Sequence, residues 1–254
     1  MAWAEYISRF VLMVSPVRKM FDEIANRYDF LNHFLSCGQD VLWRRYCCRQ
    51  MKKFCKDPGV FGGMRDVTLL DMCGGTGDFA RAFRKALGSD CVSAVVGDFS
   101  YGMLRLVRPK GIDATAVQCD AMKLPFGDGS FKMMLNGFGM RNVPDARGAL
   151  QESFRVLENG GYLCVLEFFA PRNFFNRFFY GVLAPVFIPL MGAFFSGKRD
   201  AYVYLVQSVK RFLPVKDFCR IAEECGFEVA KVKSFNGGIS YGVFLKKPAE
   251  AARG

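Results

Sequence analysis

The chain has 254 residues, about half of them apolar, with 27 phenylalanines and a formal net charge of +11. That length allows one elaborated domain or two small ones, and that apolar content excludes wholesale disorder. A single histidine, His33, excludes a His-rich metal site and a Ser-His-Asp triad, and ten scattered cysteines without a C-x-x-C pair suit a reducing compartment rather than a disulfide or zinc framework.

The first twenty residues carry Glu5 and Arg9 and lack a small-residue cleavage signature, so no signal peptide is expected there. Residues 17–55 read as helical, with Phe21, Ile24, Ala25, Tyr28, Leu31 and Leu35 recurring at three- and four-residue steps. Lys56-Asp57-Pro58-Gly59 and Gly62-Gly63 break that pattern. Apolar runs then follow at Val67–Met72, Cys91–Gly97, Ala114–Cys119, Phe131–Asn136 and Tyr162–Phe168. Between them lie helical segments at Phe79–Leu87, Gly102–Val107 and Ala146–Leu157. This alternation predicts an α/β fold with a mostly parallel sheet and helices on both faces. Ligands of such sheets sit at the carboxyl ends of the strands, so functional residues are expected just after each run.

The first run ends in Asp71-Met72-Cys73-Gly74-Gly75-Thr76-Gly77-Asp78 ahead of a helix. Glycines there let the backbone turn sharply and approach a ligand beside a helix N-terminus. The same loop matches a dinucleotide fingerprint through Gly75, Gly77 and Ala80, so alone it does not choose a cofactor. Asp98 ends the second run, where a carboxylate can accept from both hydroxyls of a ribose. Asp120-Ala121 ends the third, where a carboxylate can accept from an adenine amino group. Three acidic residues after three successive strands around one glycine loop resemble the Rossmann-type S-adenosylmethionine-dependent methyltransferases more than a dehydrogenase. That resemblance implies a cofactor set of Asp71, Gly74, Gly75, Thr76, Gly77, Asp98, Asp120 and Ala121, with S-adenosylhomocysteine as product. Cys73 stands where the usual pattern has its first glycine.

Further segments narrow the resemblance. Met20-Phe21-Asp22-Glu23-Ile24-Ala25, Tyr28-Asp29-Phe30-Leu31-Asn32, Leu42-Trp43-Arg44-Arg45, Leu124-Pro125-Phe126, Phe138-Gly139-Met140-Arg141-Asn142-Val143, Leu166-Glu167-Phe168 and Ala201-Tyr202-x-Tyr204-Leu205 are similar to the signatures of the UbiE/MenG quinone C-methyltransferases. The resemblance spans roughly residues 17–246 and implies methylation of a ring carbon of a polyprenylated quinol. It leaves a demethylmenaquinol and a ubiquinol precursor both open as acceptors. It implies a helical lid over residues 1–60, a cofactor-binding core over 61–170, a hydrophobic substrate-binding insert over 171–212, and a C-terminal part of the same domain over 213–254. The chain departs from the family at Lys132, at Asn159, and in Gly237–Gly242, which lacks the histidine that often follows this stretch.

Carbon methylation needs an electron-rich ring, which a hydroquinone becomes on losing a hydroxyl proton, held in line with the methyl group. The resemblance implies catalytic roles for Arg141 and Asn142 after the fourth strand. Arginine is too basic to accept a proton readily, so Arg141 is expected to stabilise the phenolate, with Asp78 or Tyr28 near the proton path. No metal is expected.

Residues Phe178–Gly197 are uncharged and dominated by large apolar side chains, interrupted by Gly181, Pro185, Pro189 and Gly192. The stretch reads either as packed core or as a channel for the prenyl tail touching a bilayer, with Arg172, Arg177, Lys198 and Arg199 near anionic headgroups. The expected setting is cytoplasmic, with peripheral contact at an anionic inner membrane and a homo-oligomer left open. Nucleic acid is not the expected partner, because Asn136-Gly137-Phe138-Gly139 stands where amino-directed enzymes carry an N/D-P-P-Y/F element.

Overall fold

The computed structural model describes residues 16–26, 28–29, 33, 36, 38–55, 67–88, 92–171 and 199–249. The apolar stretch expected to form the insert, with Arg172, Arg177 and Lys198, lies outside the described residues, as does the Arg199 side chain. Among the described residues no helix is long and apolar enough to cross a membrane.

The strands are β1 (Val67–Met72), β2 (Val92–Asp98), β3 (Thr115–Gln118), β4 (Phe131–Gly137), β5 (Leu157–Glu167), β6 (Glu228–Phe235) and β7 (Ser240–Lys246). They form one sheet in the order β3-β2-β1-β4-β5-β7-β6. β1 to β5 pair in parallel, while β7 runs antiparallel between β5 and β6. The stretch after residue 213 therefore supplies two strands to the same sheet. The helices are α1 (Gln39–Cys55), α2 (Asp78–Leu87), α3 (Tyr101–Leu104), α4 (Ala146–Val156), α5 (Arg199–Arg211) and α6 (Val215–Glu224). Residues 16–26 are helical as well. The stretch 17–55, expected to be helical, is interrupted by turn residues Ser36 and Gly38, with Gly38 at φ 74 just before α1. Only glycine takes that left-handed conformation without steric cost.

Local chemistry accounts for the helix starts. Asp145 caps α4 by accepting from the Arg147 N–H, and the Ser100 hydroxyl accepts from the Met103 N–H at the start of α3. Pro214 precedes α6, where its missing N–H costs nothing.

Two cores pack the two faces of the sheet. One joins Trp43, Cys47 and Met51 of α1 with Phe79 and Phe83 of α2 and with Leu104, Val107 and Ile112. The other joins Ala149 and Leu150 of α4 with Phe218 and Ala222 of α6 and with Leu163 and Val165 of β5. Phe83, Phe169, Phe218 and Phe244 are fully buried, each contributing about 1.5–3 kcal/mol. Part of the phenylalanine excess is thus core. The strand order reverses between β1 and β4, which opens the crevice at their carboxyl ends.

Candidate active site

That crevice holds a cavity of about 690 Å³ lined by Gly75, Asp98, Asp120 and Ala121 on one side and Arg141, Asn142, Tyr204 and Ser208 on another. Val17, Phe21 and Tyr28 of the N-terminal segment also line it.

The cofactor side is built by backbone. Asp98 receives the Gly75 N–H on Oδ2 at 2.9 Å and the Ser100 N–H on Oδ1 at 2.8 Å. Its carboxylate is thereby fixed at the end of β2 with lone pairs to spare for a pair of hydroxyls. Burial pushes its pKa up to about 6, against the backbone donors that favour the ionised form. Asp120 accepts the Met122 N–H on Oδ1 at 2.9 Å, and its Oδ2 has no hydrogen bond among the described residues. Above Gly75, at φ 57, there is open space where a β-carbon would stand. A small anionless turn of this kind, bordered by two aimed carboxylates, fits the amino-acid and nucleoside parts of S-adenosylmethionine.

Asp71 lies beneath the loop rather than in the cavity. Its Oδ2 accepts the Ala80 N–H at 2.8 Å, while Oδ1 is buried without a partner. Burial pushes its pKa up to about 7. A β-carbon on Gly74 would meet the Asp71 side chain at 2.8 Å, so glycine is required by close approach. Gly77, at φ 83, makes the turn into α2. Cys73 also adopts a left-handed conformation, at φ 54, which a non-glycine residue holds only at a cost of about 1–2 kcal/mol. Its Cβ stands where a side chain on Gly139 would collide.

A polar clasp holds the N-terminal segment against this loop. Lys110 Nζ reaches Asp29 Oδ2 at 2.6 Å, Asp78 Oδ1 at 2.6 Å and the Thr76 hydroxyl at 2.9 Å, and Thr76 donates to Asp29 Oδ1 at 2.6 Å. A second tie is made by Asp22, which accepts from the Ser100 hydroxyl at 2.5 Å and the Gly102 N–H at 2.8 Å. The Phe21 ring meets Phe99 edge-on at 6.0 Å and Tyr28 at 5.9 Å. Asp78 and Thr76 thus belong to the clasp and do not line the cavity.

The opposite wall is built by side chains. Arg141 Nη1 donates to Glu167 Oε1 and to the Phe138 carbonyl, both at 2.6 Å, and Nε donates to the Ser208 hydroxyl at 3.3 Å. Glu167 is fully buried at the end of β5 and also accepts the backbone N–H groups of Arg141 and Phe168. Arg141 Nη2 carries no hydrogen bond among the described residues. Burial pulls the Arg141 pKa down, but Glu167 and Tyr28 outweigh it and hold it above the ordinary value. Arg141 is a fixed cation. Beside it, Asn142 Oδ1 accepts from the Tyr204 hydroxyl of α5 at 3.2 Å.

Of the residues expected from sequence, Tyr28, Gly75, Asp98, Asp120, Ala121, Arg141 and Asn142 therefore meet at one cavity. Asp71, Gly74, Thr76, Gly77 and Asp78 stand behind it. Sequence reasoning assigned no role to Asp22, Asp29, Lys110, Glu167, Tyr204 or Ser208. Glu167 did carry a signal: it is the one charge closing the apolar run Tyr162–Phe168. Lys110 carried none.

A topological switch point with a strand-end carboxylate and an open glycine turn fits a Rossmann-like, S-adenosylmethionine-dependent methyltransferase. Solved structures agree on the fold: a S-adenosylmethionine-dependent methyltransferase of Thermotoga maritima superposes with a TM-score of 0.58 at 19% identity, covering 90% of this chain and 98% of that one. The 4+2 cyclase SpnF superposes with a TM-score of 0.56 at 15% identity, covering 80% and 81%. A cyclase on this frame shows that the fold alone does not define a reaction. The demethylmenaquinone methyltransferase of Staphylococcus aureus strain MRSA252 is 37% identical over 228 residues, 88% of this chain and 90% of that protein. The profile of the ubiE/COQ5 methyltransferase family matches residues 10–244, and the chain belongs to that family.

Proposed function

We propose that the protein transfers a methyl group from S-adenosylmethionine to a ring carbon of a polyprenylated quinol, demethylmenaquinol, in menaquinone biosynthesis. The observation that carries this reading is the fixed cation Arg141 sharing one cavity with the Asp98 and Gly75 cradle. The choice of acceptor is supported by the 37% identity to the S. aureus enzyme.

S-adenosylmethionine, when bound, supplies a methyl group on a positively charged sulfur. Asp98 and Asp120 hold its nucleoside end, and the Gly75 turn leaves room for the rest. Arg141, oriented by Glu167 and Ser208, directs its unbonded Nη2 at the quinol oxygen and stabilises the phenolate that forms there. Asn142, oriented by Tyr204, fixes the ring. As a cation held above its ordinary pKa, Arg141 does not accept the proton, and Asp78 is occupied by Lys110. The hydroxyl proton therefore leaves past Tyr28 to water. A carbon–methyl bond forms as the sulfur–methyl bond breaks, the ring hydrogen departs as a second proton to restore aromaticity, and the phenolate oxygen takes one proton back from water, so that one proton is released overall. No metal ion is called for. The proposed setting is cytoplasmic, at the inner face of the membrane that holds the quinol.

The test is transfer of labelled methyl from S-adenosylmethionine to short-chain demethylmenaquinone, reduced in one reaction and oxidised in the other. Label in the reduced acceptor alone supports the reading. Transfer to the ubiquinol precursor instead would change the acceptor, and transfer to neither would overturn the reading.

A further inference from the structure

The two faces of the sheet carry charge in opposite ways. On the other face the arginines of α4 and α6 are neutralised: Arg147 pairs with Glu224, Arg155 with Glu152 and Asp128 at 2.8 Å each, and Arg220 with Asp217 at 3.9 Å and Glu224 at 4.0 Å. The α1–α3 face differs. Arg45, Arg49 and Lys53 follow one another at four-residue steps along the exposed side of α1, and Arg81 and Lys85 do the same on α2. Arg105 and Arg108 follow α3, and among the described residues the one side-chain hydrogen bond of this pair is Arg105 to the Asn26 side chain at 3.5 Å. Among the described residues, none of these seven side chains is paired with a carboxylate.

Five aspartates on this side are engaged elsewhere. Asp40 is buried against Arg44 and His33, Asp22 caps α3, Asp113 takes Arg84, and Asp29 and Asp78 share Lys110. The edge strand β6 adds Lys231 and Lys233, both 5.7 Å from the centre of the Tyr46 ring of α1.

Two large apolar side chains stand out of the same face. Leu42 is 52% exposed and Tyr101 is 64% exposed. Each begins a cationic stripe: Leu42 leads to Arg45, Arg49 and Lys53, and Tyr101 leads to Arg105 and Arg108 at helical spacing. Both lie at the end of the face nearest the cavity. Trp43, next to Leu42, packs on Phe138 and Phe168 at 6.3 and 6.0 Å, and Tyr101 follows the carboxyl end of β2 beside the cavity-lining Phe99. Apolar tips at a rim backed by unpaired cations are the pattern of a surface that seats in the interface of an anionic bilayer.

We propose that the α1–α3 face docks on an anionic phospholipid bilayer, with Leu42 and Tyr101 entering the headgroup layer and the cavity mouth brought to the surface. The choice of a bilayer over another polyanion rests on the proposed prenylated acceptor, which resides in a membrane. It also rests on the exposed apolar tips, which a nucleic acid backbone does not reward.

The test is flotation of the full chain with vesicles of phosphatidylcholine alone or mixed with phosphatidylglycerol, at low and high salt. The wild-type protein is expected to float with the anionic vesicles only, and to be released by salt. Each cation near an anionic surface contributes about fivefold to partitioning, so a triple Arg45→Glu, Arg49→Glu, Lys53→Glu variant is expected to bind at least about 100-fold more weakly. The exposed triple is also expected to keep wild-type thermal stability and cofactor affinity, which separates loss of docking from loss of fold. Wild-type binding by that variant, equal binding to neutral vesicles, or binding to a homopolymeric RNA without binding to vesicles would each overturn the proposal. Flotation does not depend on turnover, so failure of docking and failure of the methyl-transfer reading are read separately.

Discussion

The two walls of the cavity are made by different means. On the cofactor wall, Asp98 and Asp120, with Asp71 beneath the loop, are held by backbone N–H groups a few residues away or on the adjoining loop. On the acceptor wall, Arg141 is held by Glu167 and Ser208 and Asn142 by Tyr204, through side chains from three separate parts of the chain. A wall built of backbone depends on glycine positions and tolerates a loss at any one carboxylate. A wall built of side chains is a network in which each member orients the next, so single changes are expected to cost more there.

The largest effect is expected at Arg141. Arg141→Ala removes the cation that Glu167 fixes at the acceptor wall and is expected to lower kcat by about 100-fold or more, with cofactor affinity kept. It also leaves Glu167 buried without its partner, an arrangement that typically costs about 3–5 kcal/mol, so thermal unfolding is to be measured alongside. A fall in affinity for S-adenosylmethionine with kcat unchanged would erase the distinction between the walls.

Glu167→Gln sharpens it. The amide keeps the size of the side chain but removes the charge facing Arg141. The expected result is kcat lowered by about tenfold, together with a shift of the acidic limb of the kcat profile to lower pH, because the unneutralised guanidinium favours the phenolate more strongly. A merely structural role would lower stability and leave the pH profile in place.

On the cofactor wall, Asp98→Asn is expected to weaken S-adenosylmethionine binding by about tenfold, the value of a hydrogen bond to a charged group, with a smaller effect on kcat. Ribose hydroxyls donate to the ionised carboxylate, whose pKa burial pushes up to about 6, so wild-type cofactor affinity is expected to rise with pH through that value. Titration calorimetry across that range is expected to show no such rise in Asp98→Asn. The unliganded fold responds in the other direction. Asp71 and Asp98 are raised to about 7 and about 6, above the value near 3.9 of an unfolded chain, so the folded protein keeps protons that the unfolded chain releases. That stabilisation is complete below about pH 4 and is lost as pH rises through 6 and then 7, so these two groups lower the Tm between about pH 5 and about pH 7.5.

The smallest effect is expected at the clasp. Lys110→Ala frees Asp29 and Asp78 at side chains that are 22–28% exposed in Lys110 and Asp29, and it is expected to raise the cofactor KM by about threefold while kcat holds. A tenfold fall in kcat would move the clasp into the catalytic wall.

The same contrast governs what could be read from the sequence. The carboxylate-ended strands were legible because strand and turn are contiguous: Cys91–Gly97 was expected and Val92–Asp98 is found, with Asp98 at its carboxyl end. Arg141 and Asn142 were expected as catalytic residues from their motif. Their partners were not, since Glu167 is 26 residues from Arg141 and Ser208 is 67, and only the packing of β5 and α5 joins them. Lys110 was silent because a single lysine in a turn has no local pattern to betray the ion pairs it makes. The turn at Ser36 and Gly38 ahead of α1 was not read from the sequence, because one glycine between two helical stretches is a weak local signal and its positive φ decides the matter. The antiparallel entry of β7 between β5 and β6 follows from sheet topology, which local periodicity does not encode.

The proposed reaction makes a carbon–carbon bond to a hydroquinone whose oxygen Arg141 holds as a phenolate. Methyl-labelled S-adenosylmethionine, reduced short-chain demethylmenaquinone and NMR of the extracted product test it most directly. The label is expected on the ring carbon, with the ring hydrogen lost and both oxygens free. Label on a hydroxyl oxygen as a methyl ether, with the ring hydrogen retained, would contradict it.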